Sequence, residues 1–336
     1  MELTDLKELI ETDYNIRICK VEKIKNVFKI TAIDNVYCLK VIRYNFEHFL
    51  FILEAIKHLQ RNGFSKIPEI IKKNDGKEYV KVDNRYAYLT KWINARESNY
   101  DNPIEVSVAA IKLAELHLKS RNFQVTDKME PRVGWLKWLQ NFSTRKNEIL
   151  DFRGRILQKE SKSEFDSMYL NMMDSELDRA DKAIYNLGKS EYIFKMEKEM
   201  LYRGFCHHDY AHHNVLMDQD GIINVIDFDY CILDSSLHDL ASLLLRCMKN
   251  GKWEMENALL ILDSYNSVNS IEETDIPIMS AFMEFPHDYW QTGIQYYWEK
   301  QPWGEEFFLR KLTKIKDDIE EKQELIDEFR LLNYKS

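Results

Sequence analysis

The sequence has little of the residues that usually build loops and linkers, with 10 Gly and 6 Pro among 336 residues. It has no Pro- or Gly-rich stretch, no low-complexity tract and no internal repeat. No run of about 18 apolar residues occurs, so no membrane-spanning helix is predicted. The charged N-terminal segment does not predict a signal peptide. These absences indicate a folded chain with short loops, expected in the cytoplasm.

The chain also lacks an excess of basic residues, because 47 Lys and Arg stand against 56 Asp and Glu, for a formal net charge of -9. An acidic chain is a poor match for a nucleic-acid backbone or an anionic membrane, so neither partner is expected. The five cysteines are scattered without a CxxC pair, which favours reduced thiols. A content of 45% hydrophobic and 31% charged residues indicates a globular protein, and the length allows two lobes.

Hydrophobic periodicity changes character near residue 93. The residues before it predict strands with one helix, at Val27–Ala32, Val36–Ile42, Phe46–Arg61 (the helix), Tyr79–Val82 and Tyr86–Ile93. The residues after it have mostly helical spacing, as in Val106–Lys119. We therefore predict an α+β fold with a small antiparallel-sheet lobe, residues 1–93, and a larger helical lobe, residues 94–336.

Polar residues bracket one short hairpin, predicted within the helical part at Asn214–Met217 and Ile222–Ile226. Asp209 precedes this hairpin, Asn214 opens it and Asp227 follows it. Phosphoryl transfer from ATP needs magnesium on oxygen ligands and a carboxylate that orients or deprotonates the attacking hydroxyl. Because the two ends of a hairpin lie close together, Asn214 and Asp227 are predicted to bind one magnesium ion, with Asp209 beside them. The spacing matches the kinase pattern HxDxxxxN followed by Asp-Phe.

Lys40 is a single charge within the apolar strand Val36–Ile42. A charge in such a place is unfavourable unless it is paired or exposed. One interpretation is an edge lysine whose ammonium group reaches water. The other is a lysine that contacts the phosphates of ATP and is braced by a carboxylate of the next helix. Glu54 is the expected partner, and Glu47 is the alternative.

Four histidines, His207, His208, His212 and His213, crowd the segment before the hairpin. They raise the alternative of a zinc site, although the kinase pattern explains His207 as a hydrogen-bonded support of the loop. His212 and His213 either line an acceptor pocket or face solvent. Asp229 is either a second metal ligand or acceptor contact, or a carboxylate that caps a turn.

These motifs resemble the aminoglycoside phosphotransferase/choline kinase-like superfamily and, within it, the CotS-type spore coat proteins of endospore-forming bacteria. The resemblance extends to YCLKVIR at residues 37–43 and to the aromatic-rich segment at residues 284–303. It implies a bilobal protein-kinase-like fold with ATP and Mg²⁺ as cofactors. By this resemblance Asp209 is the catalytic base, Asn214 and Asp227 hold magnesium, and Lys40 binds the phosphates.

The resemblance also implies that Leu89–Ile93, with Lys91 and Trp92, is a hinge facing adenine, and that Asp239 is a structural carboxylate. One departure is the loop of residues 24–28, which contains no glycine. Protein kinases place a Gly-rich loop there so that the backbone can approach phosphate.

The leading functional hypothesis is an ATP- and Mg²⁺-dependent phosphotransferase that acts on a small hydroxyl-bearing molecule. The resemblance implies synthesis in the mother-cell cytoplasm, assembly into the spore coat, and other coat proteins as partners. The alternative is a catalytically silent structural or interaction protein of the coat that retains the kinase fold. A metal-dependent hydrolase built on the histidine cluster is a third, weaker hypothesis.

Overall fold

The computed structural model describes residues 3–334. The chain divides into two compact units, neither of which is continuous in sequence. The first comprises the residues up to Asn99, Leu118–Val133 and His207–Leu233; the second comprises Tyr100–His117, Gly134–Cys206 and the residues from Asp234 onward. This division differs from the single boundary predicted at residue 93. It groups residues 207–233, which contain the hairpin bracketed by Asn214 and Asp227, with the N-terminal residues.

The first unit is built on an antiparallel sheet in the order β1-β2-β3-β6-β4, with β5 also paired to β6. Two helices accompany it. The elements are α1 (Leu3–Tyr14), β1 (Ile18–Ile24), β2 (Val27–Ala32), β3 (Val36–Ile42), α2 (Phe46–Arg61), β4 (Ile70–Ile71), β5 (Val80–Val82) and β6 (Arg85–Lys91).

The bounds of β2, β3 and α2 coincide with the sequence prediction. Helix α2 begins at a cap, because the side chain of Asn45 accepts a hydrogen bond from the backbone N–H of His48 at 3.0 Å. It ends before Gly63, whose φ of +76° suits a residue without a Cβ. Alternate residues of the strands, such as Ile30 and Leu39, are fully buried in the core of this unit.

Helix α1 and strand β1 were not predicted. Only Leu6, Ile10 and Tyr14 of α1 are buried, and they pack into the same core as the sheet. Three apolar contacts at four-residue spacing within a charged segment are a weak periodic signal. The helix is therefore held by tertiary packing more than by its own pattern.

The glycine-free loop is a tight turn between β1 and β2. Lys25 has a φ of +53°, the left-handed conformation that glycine adopts more readily. The turn therefore carries a lysine side chain at a place where the loop of a protein kinase exposes its backbone.

The hairpin that Asp209, Asn214 and Asp227 bracket consists of β8 (Val215–Met217) and β9 (Ile223–Val225), with β7 (Arg96–Glu97) paired to β8. The backbone N–H of Val225 donates to the carbonyl of Lys66 at 3.0 Å, and that of Ser98 donates to Val215 at 3.0 Å. These bonds tie residues 207–233 to N-terminal segments, which explains their place in the first unit.

The second unit is helical. Its helices are α3 (Pro103–Ser120, whose last residues belong to the first unit), α4 (Trp138–Leu157), α5 (Glu164–Lys189), α6 (Tyr192–Tyr202), α7 (Ser236–Met248), α8 (Met255–Asn266), α9 (Asp275–Glu284), α10 (His287–Gly293), followed by a π-helical turn (Ile294–Trp298), and α11 (Glu305–Arg330). The rings of Tyr169 and Tyr289 stack in its core at 4.1 Å. Across residues 3–334, no helix combines the length and apolar character needed to span a membrane.

Candidate active site

Lys40 lies on β3, between β2 and β6 in the sheet, and is only 5% exposed. Its ammonium group contacts Asp227 Oδ2 at 2.9 Å and Asp229 Oδ2 at 3.1 Å. Burial lowers the pKa of Lys40, but the two carboxylates outweigh burial and raise it above the ordinary value. The lysine therefore stays charged, and the edge-lysine interpretation does not apply.

Asp227 and Asp229 form an incompletely satisfied carboxylate pair. Asp227 Oδ1 and Asp229 Oδ1 are both buried without a hydrogen-bond partner in the described part of the chain. Burial raises the pKa of Asp227, but Lys40 outweighs burial and holds it below the usual range. Burial, together with the charge of Asp227, raises the pKa of Asp229 to about 7. Asp227 also has a φ of +64°, a strained conformation of the kind found at functional sites.

Asn214 and Asp209 lie next to each other before β8. The Asn214 side-chain amide donates to Asp209 Oδ2 at 3.0 Å and to the Asp209 backbone carbonyl at 2.9 Å. The backbone N–H of Ile226 donates to the Asn214 carbonyl at 2.9 Å, which ties Asn214 to the strand that leads into Asp227. Asn214 is buried, whereas Asp209 is half-buried and accessible to a small molecule.

The donor set fits a magnesium ion. Magnesium prefers oxygen ligands and commonly takes one or two from the protein, with phosphate oxygens completing its shell. The unpartnered oxygens of Asp227 and Asp229 offer such ligands, and the side-chain oxygen of Asn214 is of the same kind. Two buried carboxylate oxygens without a partner are unfavourable unless a cation or proton satisfies them.

The four histidines of this segment have different environments. His207 is fully buried and its Nε2 lies 2.9 Å from the carbonyl of Ile226, which matches the role of a loop support. His208 has a φ of +67°. His212 and His213 are exposed, and His213 Nε2 lies 3.9 Å from Asp209 Oδ2. Among residues 3–334 these histidines do not form a group of three metal-binding side chains, so the structure gives no support to a zinc site here.

A cavity of about 140 Å³ lies between the sheet and the β8–β9 hairpin, wholly within the first unit. Its lining is mostly apolar, as expected for a site that takes a flat ring. Lys40 and Asp227 stand on its wall, and so do Lys91 and Trp92. The other lining residues are Val27, Cys38, Pro68, Tyr88, Thr90, Ile93, Leu216 and Ile226.

The expected brace between Lys40 and Glu54 is corrected by the structure. Glu54 contacts Lys57 at 2.5 Å and Arg61 at 3.2 Å, and no ion pair of the described residues joins it to Lys40. Asp227 and Asp229 occupy the place around the lysine that the prediction gave to a helix carboxylate. Glu47, the alternative, is not a partner of Lys40 either.

Asp239 lies in the second unit, at the start of α7, and is fully buried. It lies 3.2 Å from His117 Nε2 and 3.6 Å from His238 Nδ1. Cys206, His117 and Asp239 form the group of potential metal-binding side chains found within residues 3–334. Burial raises the pKa of the Cys206 thiol well above its usual value, so the residue suits packing better than metal binding. The burial of Asp239 and its two histidine neighbours are consistent with the predicted structural role, which stays a prediction.

Sequence reasoning missed the apolar walls of the cavity. Leu216 lies on β8 and Ile226 directly follows β9, so both flank the polar residues that the motif identified. Cys38 lies two residues before Lys40 and shares its face of β3. The alternation of side chains along the strands next to Lys40 and Asp227 is the signal that could have identified these apolar residues.

The sheet with its central lysine, the carboxylate-bearing hairpin and the helical remainder define a kinase-like α+β fold. Solved structures confirm this class. The aminoglycoside phosphotransferase from Alicyclobacillus acidocaldarius subsp. acidocaldarius DSM 446 has a TM-score of 0.83 at 21% identity, covering 96% of this chain and 94% of that one. A spectinomycin phosphotransferase in complex with ADP and spectinomycin has a TM-score of 0.71 at 17% identity, covering 98% of each chain.

The family model described as "Spore coat putative kinase YutH" matches residues 7–329, so the chain belongs to this family. A curated relative is "Spore coat protein S" of Bacillus subtilis (strain 168). It is 24% identical over 283 residues, which cover 84% of this chain and 80% of the relative. The expected resemblance to spore coat proteins with a kinase-like fold is confirmed.

Proposed function

We propose that the protein is an ATP- and Mg²⁺-dependent phosphotransferase that acts on a small hydroxyl-bearing molecule and is associated with the spore coat. The observation that carries the proposal is the pair of buried, unpartnered oxygens on Asp227 and Asp229, beside Lys40 on the wall of a mostly apolar cavity. Two buried carboxylate oxygens without a partner lower stability unless a proton or a cation satisfies them, and magnesium is the cation in this proposal.

In this proposal the cavity takes the adenine ring, with the backbone of Leu89–Ile93, including Lys91 and Trp92, facing its edge. Lys40 contacts the phosphates. Asn214 and Asp227 hold magnesium, and Asp229 adds a further oxygen. Bound magnesium neutralises negative charge on the phosphates and on the transferring group.

Asp209 is the proposed catalytic base. Its half-buried carboxylate accepts the proton of the acceptor hydroxyl, whose oxygen forms a bond to the γ-phosphorus as the bond from that phosphorus to the β,γ-bridging oxygen breaks. The products are ADP and a phosphate monoester. The Asn214 amide fixes Asp209 through its 3.0 Å hydrogen bond, and His207 supports the loop. His212 and His213 are exposed, and His213 Nε2 lies 3.9 Å from Asp209 Oδ2; both histidines are proposed to contact the acceptor.

The descriptions of the related proteins support this proposal. One solved neighbour was crystallised with ADP and the small molecule named in its title, and the family description includes both a kinase and the spore coat. We propose accordingly that the protein is made in the mother-cell cytoplasm, joins the coat with other coat proteins, and phosphorylates a small acceptor.

Thermal unfolding with and without MgATP tests the proposal, using the wild type, Asp227→Asn and the control Asp220→Asn in the exposed turn of the same hairpin. A ligand at about 100 times its dissociation constant adds roughly 2.7 kcal/mol to the native state. This corresponds to a rise of several degrees in Tm. The rise is expected in the wild type and Asp220→Asn and should shrink in Asp227→Asn. An unchanged wild-type Tm at millimolar MgATP would contradict nucleotide binding.

A second candidate function is a catalytically silent coat protein. The loop of residues 24–28, with Lys25 in place of a flexible glycine, favours it, as does the full engagement of Lys40 by two carboxylates. Turnover on a panel of sugars, amino alcohols and amino acids, together with coat assembly in cells carrying Asp209→Ala, separates the two functions. Normal coats in that variant and no turnover in the wild type would favour the silent protein.

A further inference from the structure

A second cavity, of about 200 Å³, lies in the helical second unit. Its walls come from α5, α10, α11 and the segment that follows α7. It shares no lining residue with the nucleotide cavity. Its volume is below the roughly 300–1,000 Å³ of sites for drug-sized ligands, so it suits a smaller metabolite.

The charge of this cavity is predominantly positive, although the whole chain is acidic. Five basic side chains line it against three acidic ones. The basic ones are Arg179, Lys249, Lys311, Lys314 and Lys322, and the acidic ones are Glu176, Asp288 and Asp318. Five basic groups around one small cavity produce a local positive potential that attracts anions.

Two of the three acidic groups are already neutralised or hydrogen-bonded by the protein. Asp288 forms an ion pair with Lys249 at 2.6 Å. Asp318 accepts hydrogen bonds from the backbone N–H groups of Asn250 at 2.8 Å and Gly251 at 3.0 Å. Asp288 and Asp318 are therefore already held by the protein, and the three acidic groups remain outnumbered by the five basic ones.

Lys322 is a partly buried lysine on the wall of this cavity. It is half-buried, its ammonium lies 5.7 Å from the centre of the Trp253 ring, and it has no hydrogen-bond or ion-pair partner within residues 3–334. Burial lowers the pKa of Lys322 to about 8, and Asp288 opposes this shift only in part. A bound anion would supply the missing counter-charge.

Two further buried polar atoms, on residues that line the same cavity, lack a hydrogen-bond partner within residues 3–334. They are Trp253 Nε1, a hydrogen-bond donor, and Glu176 Oε1, on residues that are 8% and 1% exposed. Burial raises the pKa of Glu176. Glu176 and Lys322 attract each other electrostatically, but no ion pair within residues 3–334 joins them, so the ammonium, the carboxyl group and the Trp253 N–H donor all keep bonding capacity for a ligand.

We propose that this cavity is a binding site for a small metabolite with a carboxylate or phosphate group. Lys322 and Trp253 Nε1 bind the anionic group, and Lys311 and Lys314 add positive charge. Glu176 accepts a hydrogen bond from a hydroxyl or ammonium group at the other end of the same ligand. The site requires no nucleotide, so it stands or falls independently of the proposed phosphotransferase activity.

Calorimetric titration of the full chain without nucleotide tests the site, with sodium phosphate and sodium glutamate as separate probes at constant ionic strength. The variants are Lys322→Gln, Trp253→Phe and the control Lys316→Gln, which changes an exposed lysine of the same helix outside the cavity. At least one probe is expected to saturate the wild type with one site. Which probe binds identifies the anionic group.

Lys322→Gln should weaken that probe about tenfold or more, because a charge-assisted contact is lost. Trp253→Phe should weaken it about threefold, and Lys316→Gln should leave it unchanged. Circular dichroism and Tm without ligand show whether each variant folds, and Lys322→Gln is expected to fold because it removes a half-buried unpaired charge. Failure of both probes to saturate at 10 mM, or equal weakening in Lys316→Gln, would overturn the proposal.

Discussion

The two units each contain a buried carboxylate centre, and the two centres differ in how completely the protein satisfies them. In the first unit, Asp227 and Asp229 share Lys40 and keep one buried oxygen each without a partner. In the second unit, Asp239 lies against His117 and His238 and is absent from the unpartnered groups of residues 3–334. We call the first centre open, because its carboxylates keep bonding capacity for a ligand, and the second closed, because both oxygens of Asp239 lie within 3.6 Å of a histidine nitrogen.

The pKa values of the two centres follow this difference. Burial, the largest effect on Asp239, raises its pKa, but hydrogen bonds and charge from His117 and His238 outweigh burial and hold it well below its usual range. For Asp229, burial and the charge of Asp227 outweigh the compensation from Lys40, and its pKa rises to about 7. A buried carboxylate that is fully compensated contributes to stability, and one that is poorly compensated lowers stability in exchange for function.

The largest expected effect concerns turnover at the open centre. Asp209→Asn removes the base and preserves the shape and the contact with Asn214. It should lower kcat on an accepted acceptor by about 10²–10⁴-fold. The MgATP-induced rise in Tm should persist, because Asp209 does not line the nucleotide cavity. Steady-state kinetics and thermal unfolding on the same preparations measure both.

Asp220→Asn is the matched control for this variant, since it makes the same substitution at an exposed position of the hairpin turn. Its kcat should remain within about twofold of the wild type, as expected for a surface substitution. A kcat for Asp209→Asn close to that of the control would remove Asp209 from the catalytic role.

The second prediction compares stability at the two centres. Asp239→Asn should lower the free energy of unfolding by about 2–4 kcal/mol, because it breaks a buried, fully compensated network. Asp227→Asn should lower it by less than about 1 kcal/mol without ligand, since Lys40 keeps Asp229 as a partner. Urea unfolding followed by circular dichroism measures both values. Equal losses would show that the open centre is as structural as the closed one.

The third prediction concerns pH and uses two carboxylates of the second unit with opposite shifts. Burial raises the pKa of Asp234 to about 6, and its hydrogen bond from Trp138 Nε1 compensates only in part. The folded state then holds the proton more tightly than the unfolded state, so Asp234 lowers stability as pH rises from about 4 to about 6. The depressed pKa of Asp239 has the opposite effect, because its contribution is present above about pH 4 and is lost as pH falls further.

Differences in unfolding free energy between wild type and variants, measured from pH 3 to 7, test these signs. Relative to Asp234→Asn, the wild type should lose on the order of 2–3 kcal/mol as pH rises through this window. Relative to Asp239→Asn, it should lose stability as pH falls below about 4. Parallel pH profiles for the two variants would contradict the opposite shifts.

The sequence predicted local elements well where one pattern was strong. Strands β2 and β3 and helix α2 have the predicted bounds, because alternation and helical spacing act between near neighbours. The motif also indicated residues that lie close together, since the β8–β9 hairpin brings Asn214 next to Ile226, the residue before Asp227. In both cases short-range geometry was enough.

Long-range relations were not predicted. The sequence did not indicate that residues 207–233 belong to the first unit, to which a hydrogen bond from the Val225 N–H to the Lys66 carbonyl joins them. Helix α1 is held by three side chains packed on the sheet, a contact that periodicity does not reveal. The predicted partner of Lys40 was wrong, because the carboxylate of Glu54 contacts Lys57 and Arg61 of its own helix.

The smallest expected effect concerns the carboxylate of Glu54. Because Glu54 contacts Lys57 and Arg61, Glu54→Gln should change the free energy of unfolding by about 0.5–1 kcal/mol, as for other partly exposed ion pairs. The dissociation constant of MgATP should change by less than about threefold. Glu47→Gln, at an exposed position in the first turn of the same helix, is the control. A loss of nucleotide affinity above about tenfold in Glu54→Gln alone would mean that Lys40 leaves both Asp227 and Asp229 for Glu54 when nucleotide binds, which would free the two carboxylates of the open centre for magnesium.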